Sequence, residues 1–134
     1  MKFVRLAGST LLALLTSGIL AMVVQAISNI LYPLPEGIDT SDLDALKKHI
    51  STLPAGAFGL VLLSYVAGTT AGSWVGVRSS AARSAIPAWI LVGLNLLAGI
   101  ANMVMIPHPP LFMAACLAVF PICGYLGIRL GRRS

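Results

Sequence analysis

Long apolar runs separated by short polar segments dominate the chain. Two of the runs extend from about Ala7 to Tyr32 and from Pro54 to Val77, and residues 84–128 contain no Asp, Glu, Lys or Arg. The segment 107–110, Pro-His-Pro-Pro, divides that last stretch, and proline cannot continue a helix. Because a membrane-spanning helix needs about 20 apolar residues, the pattern predicts four transmembrane helices, at about 7–32, 54–77, 86–106 and 111–130.

Composition supports a membrane protein with one domain, residues 1–134. Hydrophobic residues make up 57% of the 134-residue chain and charged residues 10%, whereas soluble domains carry about 25% charged residues. Lys2 and Arg5 precede the first run, as in a signal peptide, but the run is uncharged from Leu6 to Pro35. A signal-peptide apolar region is about 7–15 residues long, so we expect the first helix to be retained in an all-α, four-transmembrane-helix bundle.

The positions of the charges predict the orientation. The 33–53 loop carries Lys47, Lys48 and all four acidic residues. Because cytoplasmic loops carry the Lys and Arg excess, we expect both termini and the 78–85 loop in the cytoplasm. The net charge of +5 does not indicate a nucleic-acid partner, because the basic residues cluster at helix ends without forming a basic stripe. Seven of them lie on the predicted cytoplasmic side: Lys2, Arg5, Arg78, Arg83, Arg129, Arg132 and Arg133.

The 33–53 loop contains a pattern typical of a short amphipathic helix at 41–50. Ser41 and Asp44 resemble a capping box, in which two side chains satisfy free backbone amides. Leu43, Leu46 and Ile50 recur on one helical face. The segment is therefore expected to lie on the outer membrane interface, and a solvated connector is the alternative.

The two halves of the chain are similar to each other. Residues 73–78 read SWVGVR and residues 124–129 read GYLGIR, at the ends of helices two and four. Asn29 and Asn102 each precede a proline-containing segment. These similarities predict two helical hairpins in a parallel pseudo-repeat, as in some transporters. The alternative is that both helix ends lie at the same membrane–water interface, which favours the same residue types without an internal repeat.

Small residues recur every four positions on helices two and four. In lipid there is little hydrophobic force between helices, and small side chains let two backbones approach closely. These ladders indicate helix packing, either against a partner or second copy or inside the monomer. The predicted packing residues are Ser64, Gly68, Gly72, Gly76, Gly127 and Gly131.

Four amide side chains lie within the apolar helices. Gln25 and Asn29 are one turn apart on helix one, and Asn95 and Asn102 share a face of helix three. Buried amides in membranes usually bond between helices, and lining a solute site is the alternative. No charged residue lies in a helix core, which argues against a proton-coupled pump because such pumps use intramembrane ionisable residues.

The sequence predicts no catalytic residue, metal or cofactor. It contains no nucleophile-elbow, zinc-protease or phosphate-loop motif. His49 and His108 lie in separate loops, which is a weak indication of a metal site. Cys116 and Cys123 lie in an apolar stretch and are expected to act as small buried side chains.

Three segments resemble a group of small bacterial four-helix membrane proteins. They are residues 52–58 (TLPAGAF), 72–78 (GSW followed by Arg78) and 102–112 (Asn102, then IPHP, then Phe112). The resemblance covers about residues 52–130. It implies a location in the bacterial cytoplasmic (inner) membrane, and it implies no activity and no site residues.

The glycine ladder without charged core residues favours a protein that acts by helix packing. We therefore interpret the chain as an accessory subunit or homo-oligomeric scaffold, with the lipid bilayer and a second copy or another membrane protein as partners. The alternative is a small carrier or channel for a neutral or lipid-like solute, lined by the four amides. A membrane enzyme is a third and weaker hypothesis.

Overall fold

The chain folds into four long apolar helices, each long and apolar enough to cross a membrane. The structure, a computed structural model, describes residues 1–33, 36–37, 41–105 and 110–133, without the side chains at 46, 50, 51 and 55. The predicted all-α fold with four long apolar helices is confirmed and is compatible with a helical membrane bundle. The helices are α1 (Lys2–Leu31), a short α2 (Leu43–Ser51), α3 (Ala55–Ser79), α4 (Ile86–Met105) and α5 (Pro110–Arg133).

The long helices extend past the predicted limits where charged residues begin or end them. Helix α1 starts at Lys2 rather than Ala7, and α5 continues to Arg133. Arginine in the last turn of α5 interacts favourably with the negative end of the helix dipole. Pro110 is the first residue of α5, where its missing N–H costs no hydrogen bond. Residues 107–109 of the predicted proline turn, with His108, and residue 106 before them lie outside the described residues.

Helix α2 is capped by a different residue from the one predicted. Asp42 Oδ1 accepts hydrogen bonds from the backbone N–H of Asp44 at 3.0 Å and of Ala45 at 3.4 Å. A side chain that bonds the amides two and three residues later is an N-cap. The predicted Ser41–Asp44 capping box is therefore wrong by one residue, and the helix begins at Leu43. The predicted apolar face depends on the side chains at 46 and 50, which lie outside the described ones.

Helix α3 occupies the centre of the bundle. It packs along α1 on one side and α5 on the other, while α4 lies against all three. Helix α1 runs antiparallel to α3, because Ala13 lies beside Gly72 and Tyr32 lies beside Gly56. Helix α5 runs parallel to α3, because Gly127 lies beside Ser73 and Gly131 lies beside Val77. The four spans therefore alternate in direction along the chain.

This alternation brings the seven basic residues named above to one end of the bundle, the basic end. The α3–α4 turn is fastened there to the last turn of α5. Arg83 Nη1 donates to the carbonyl oxygen of Arg132 at 3.0 Å, and Arg132 Nε donates to the carbonyl oxygen of Arg83 at 3.5 Å. Ala82 and Arg83 both have a φ of 52°, a strained backbone conformation for residues with a side chain. The two hydrogen bonds help to hold this strained turn.

The small-residue ladder of α3 contacts α1 inside the chain. A Cβ added to Gly68 would lie 2.9 Å from the Ser17 carbonyl oxygen, and one added to Gly72 would lie 2.7 Å from the Ala13 carbonyl oxygen. Helix α1 meets this face with small residues of its own, since its buried residues are Ser9, Ala13, Ser17 and Ser28. Most of its large apolar side chains are exposed. The two backbones approach closely because both faces are small.

The ladder of α5 also packs inside the chain. A Cβ on Gly127 would lie 2.5 Å from the Thr70 carbonyl oxygen, and one on Gly131 would lie 2.9 Å from Val77 Cβ. Gly76, which matches Gly127 in the sequence comparison of the two halves, instead contacts Ala13 of α1. The equivalent glycines therefore have different neighbours, and the pseudo-repeat stays a prediction from the sequence.

The Gly72→Ala substitution should destabilise the bundle by about 1–3 kcal/mol, because overpacking a tight contact forces neighbouring groups apart. Gly59→Ala on the same helix is the matched control, since a Cβ there meets nothing within 4 Å. The control should be neutral or more stable by up to about 1 kcal/mol, from helix propensity. Loss of helical circular dichroism during titration with sodium dodecyl sulfate measures both. Equal stability of the two variants would contradict this contact.

Candidate functional site

A cavity of about 360 Å³ lies in the middle of the bundle, between α1, α3 and α4. Its size falls within the range of about 300–1,000 Å³ typical of small-molecule sites. It lies near the midpoints of these helices, and six of its twelve lining residues have polar side chains. The polar lining residues are Ser17, Ser64, Tyr65, Thr69, Asn95 and Asn102, and the others are Leu14, Gly18, Ala21, Ala98, Gly99 and Phe120.

Small residues on α1 and α4 create the space. Gly18 and Ala21 line the cavity from α1, and Ala98 lines it from α4. A Cβ added to Gly18 would meet no heavy atom within 4 Å, and both Gly18 and Ala98 are exposed. The cavity is therefore open on the side where α1 faces α4.

Close packing limits the cavity towards the basic end and towards α5. Towards the basic end, the position of Gly72 is enclosed by Ala13 of α1 and Leu91 of α4, each 2.7 Å from an added Cβ. Towards α5, Phe120 lies 3.1 Å from a Cβ added to Gly99, and its ring packs against Tyr65 with centroids 5.0 Å apart. The cavity is thus closed towards the basic end and towards α5.

One hydrogen-bonded pair joins α3 to α4 beside the cavity, where Asn95 Nδ2 donates to Thr69 Oγ1 at 3.2 Å. The side chains of Tyr65 on α3 and Asn102 on α4 also line the cavity. An amide has two N–H donors and a carbonyl oxygen. Among the described residues Asn95 uses one of these donors, so its carbonyl oxygen and second donor are available to a ligand. The Ser64 hydroxyl is satisfied by the Val61 carbonyl oxygen at 2.6 Å.

Only two of the four predicted amides reach this site. Asn95 and Asn102 line the cavity, whereas Gln25 and Asn29 lie one turn apart on an exposed face of α1. There Gln25 Nε2 donates to Asn29 Oδ1 at 3.2 Å. Of the predicted packing residues, Ser64 lines the cavity and the glycines make the helix contacts described above. The structure therefore divides the predicted residues between a polar cavity, a packing interface and a surface pair.

Other residues of the site were not predicted from the sequence as solute contacts. Tyr65 could have been identified from the sequence as a site residue. Tyrosine in membrane helices concentrates at the interfaces, whereas Tyr65 lies ten residues inside α3. Thr69 lies five residues after Ser64 and is almost completely buried. An isolated threonine in a helix sequence does not indicate a site residue. The contribution of Gly18 depends on which face of α1 meets α4, and the apolar sequence of α1 does not indicate that face.

The remaining candidate groups do not form a second site in the described part of the chain. Cys116 and Cys123 are buried free thiols. Among the described residues there is no cluster of His, Cys, Asp or Glu that could hold a metal ion. His108 lies outside those residues, so a role for it together with His49 stays a hypothesis.

Comparisons of the chain with protein-family models, with curated proteins and with solved structures give no match. The bacterial inner membrane implied by the sequence resemblance stays a prediction. The functional argument therefore depends on the cavity and its side chains.

The Asn95–Thr69 bond should contribute about 0.6 kcal/mol to bundle stability, the average for side-chain bonds between membrane helices. Stabilities of Asn95→Leu, Thr69→Val and the double variant in a detergent unfolding titration give this coupling energy. Fully additive losses in the double variant would show that the two side chains do not interact.

Proposed function

We propose that the protein is a small membrane carrier that binds a neutral solute in the cavity between α1, α3 and α4. The observation that carries this proposal is the convergence of six uncharged polar side chains on a pocket in the middle of an apolar bundle. Polar groups are costly in hydrocarbon when they have no partner. A pocket that gathers them, with Asn95 only partly bonded, favours a ligand that completes their hydrogen bonds.

The lining indicates an uncharged ligand. None of the described lining residues is Asp, Glu, Lys, Arg or His. Burying an isolated charge at this depth costs several kcal/mol or more, and no opposite charge in the pocket offsets that cost. Amide and hydroxyl groups instead match a ligand that carries hydroxyl or carbonyl groups.

The pocket favours a carrier over an open channel. The layer formed by Gly72, Ala13 and Leu91 closes it towards the basic end. Its open side lies between α1 and α4, where Gly18 has free space. A solute could reach it from the lipid, and passage to the other side would require α1 or α4 to move. Of the two solute-binding alternatives, the carrier therefore fits the packing better.

The scaffold interpretation loses the feature that supported it. Gly68, Gly72 and Gly76 are covered by α1 and α4, and Gly127 and Gly131 are covered by α3. A homo-oligomer or a complex with another membrane protein stays a prediction, and it would need a different surface of the bundle.

We further propose that the basic end faces the cytoplasm of a bacterial cell. Seven basic residues and no acidic residue belong to that end, against two basic and four acidic residues in the opposite loop. The Lys and Arg excess over short loops sets the orientation of membrane proteins. Both termini would then be cytoplasmic.

The Gly18→Phe variant tests solute binding. Its ring should fill the open side of the cavity without displacing a neighbour, because a Cβ there meets nothing within 4 Å. Native mass spectrometry of the gently solubilised wild type should show a monomer with a bound small molecule or lipid, and Gly18→Phe should lose that mass. Gly8→Phe on the same helix, which also has free space and lies outside the cavity lining, should keep it.

Two results would count against this function. One is a bound mass that Gly18→Phe retains at the wild-type level, which would place the ligand elsewhere. The other is a bare protein that appears only as a defined oligomer or with a second protein, which would restore the scaffold interpretation.

The orientation is tested by cysteine labelling in a background where Cys116 and Cys123 are replaced by alanine. A membrane-impermeant maleimide added outside should label Ser41→Cys in intact bacterial inner membranes. Ser79→Cys, at the basic end, should react only after permeabilisation, because the bilayer separates it from the reagent. The reverse pattern would show that the basic end faces outward.

A further inference from the structure

A second depression continues from the cavity along the outside of the bundle. This depression, the α1–α4 groove, is lined by one face of α1 from Phe3 to Leu14 and by Ile90 of α4, and its volume is about 390 Å³. Leu14 lines both the groove and the polar cavity. The two spaces therefore adjoin, with the groove leading from the middle of the bundle towards the basic end.

The groove and the cavity differ in chemistry. The described groove lining contains a single polar side chain, Thr10, and its hydroxyl already donates to the Leu6 carbonyl oxygen at 2.8 Å. The rest of the lining is hydrocarbon. The cavity beyond Leu14 instead offers the partly bonded amide of Asn95 and the polar side chains of Tyr65 and Asn102. A ligand that occupies both spaces must be polar at one end and apolar along the other.

The length of the groove matches one hydrocarbon chain. From Phe3 to Leu14 the helix rises about 16 Å, at about 1.5 Å per residue. The hydrocarbon core of a bilayer is about 30 Å thick, so the groove covers about one leaflet. The chain of a lipid that extends from mid-membrane to one surface covers the same depth.

We infer that the ligand is a neutral, single-chain amphiphile whose hydroxyl- or carbonyl-bearing head occupies the polar cavity and whose chain lies in the α1–α4 groove. This inference rests on the proposed solute-binding function and adds the class of ligand and its orientation. The head is uncharged because the described lining has no ionisable partner for a charge. The described groove, which meets the cavity at Leu14, accommodates one chain. The ligand reaches the site sideways from the lipid, between α1 and α4.

The test uses delipidated full-length protein and three probes, followed by native mass spectrometry titration. Monomyristoylglycerol carries the expected head and chain, monooctanoylglycerol has the same head with a shorter chain, and myristate has the same chain with a charged head. Wild type should bind one monomyristoylglycerol, and myristate at least about tenfold more weakly, because the charge has no partner in the cavity.

Ala7→Phe places a ring in the groove and should weaken monomyristoylglycerol binding about tenfold, because the chain loses its van der Waals contacts there. Monooctanoylglycerol should bind Ala7→Phe as it binds wild type, since its chain covers only the approximately 10 Å of helix between Leu14 and Ala7. Gly8→Phe is the neighbouring control. It lies outside the groove lining, has free space around its Cβ position and should leave both affinities unchanged.

The outcomes separate this inference from the function on which it rests. If Gly18→Phe abolishes binding of both glycerides and Ala7→Phe weakens neither, the cavity binds solute but the groove does not hold the chain. Equal binding of myristate and monomyristoylglycerol would overturn the neutral head. If wild type binds none of the probes, the inference falls, and the proposed function falls with it only if the protein also purifies without a bound mass.

Discussion

Close contact between the backbones of α1 and α3 determines the arrangement of the other helices. Gly68 and Gly72 leave no room for a side chain against the carbonyl oxygens of Ser17 and Ala13. In lipid, apolar side chains gain little by leaving one hydrocarbon environment for another, so association depends on close packing and polar contacts. Helix α3 takes the central position because its glycines admit α1 on one side, and on the other side Gly127 of α5 lies against the Thr70 carbonyl oxygen of α3.

Helix α3 is tightly packed at one level of the bundle and borders the cavity at another. Around Gly72 and Gly76 the neighbours of α3 are Ala13, Leu91 and Pro87, and they fill the space between the helices. One to two turns earlier on α3, the polar residues Tyr65 and Thr69 face small residues of α1 and α4 across a cavity. The change from tight to open packing along α3 gives the pocket a closed end and a side that faces lipid.

The charged and the uncharged polar side chains of the bundle lie in different places and have different structural roles. Charged groups remain at the ends, where Arg83 and Arg132 fasten the α3–α4 turn to α5. Uncharged groups occur inside, where Asn95 and Thr69 join two helices at a small energetic gain. The cavity next to Asn95 is the observation from which we propose ligand binding.

The sequence by itself determined the four spanning helices, their approximate limits and the separation of charge between their ends. These features are local, because helix length and charge position depend on neighbouring residues of the chain and on the bilayer thickness. The errors were local too, such as the cap at Ser41 in place of Asp42. Only the tertiary structure decided that the ladder of α3 faces α1 and that Asn95 lines a cavity while Gln25 does not. The sequence could not decide this, because nearly every face of a membrane helix is apolar and the pattern does not show which face meets a neighbour.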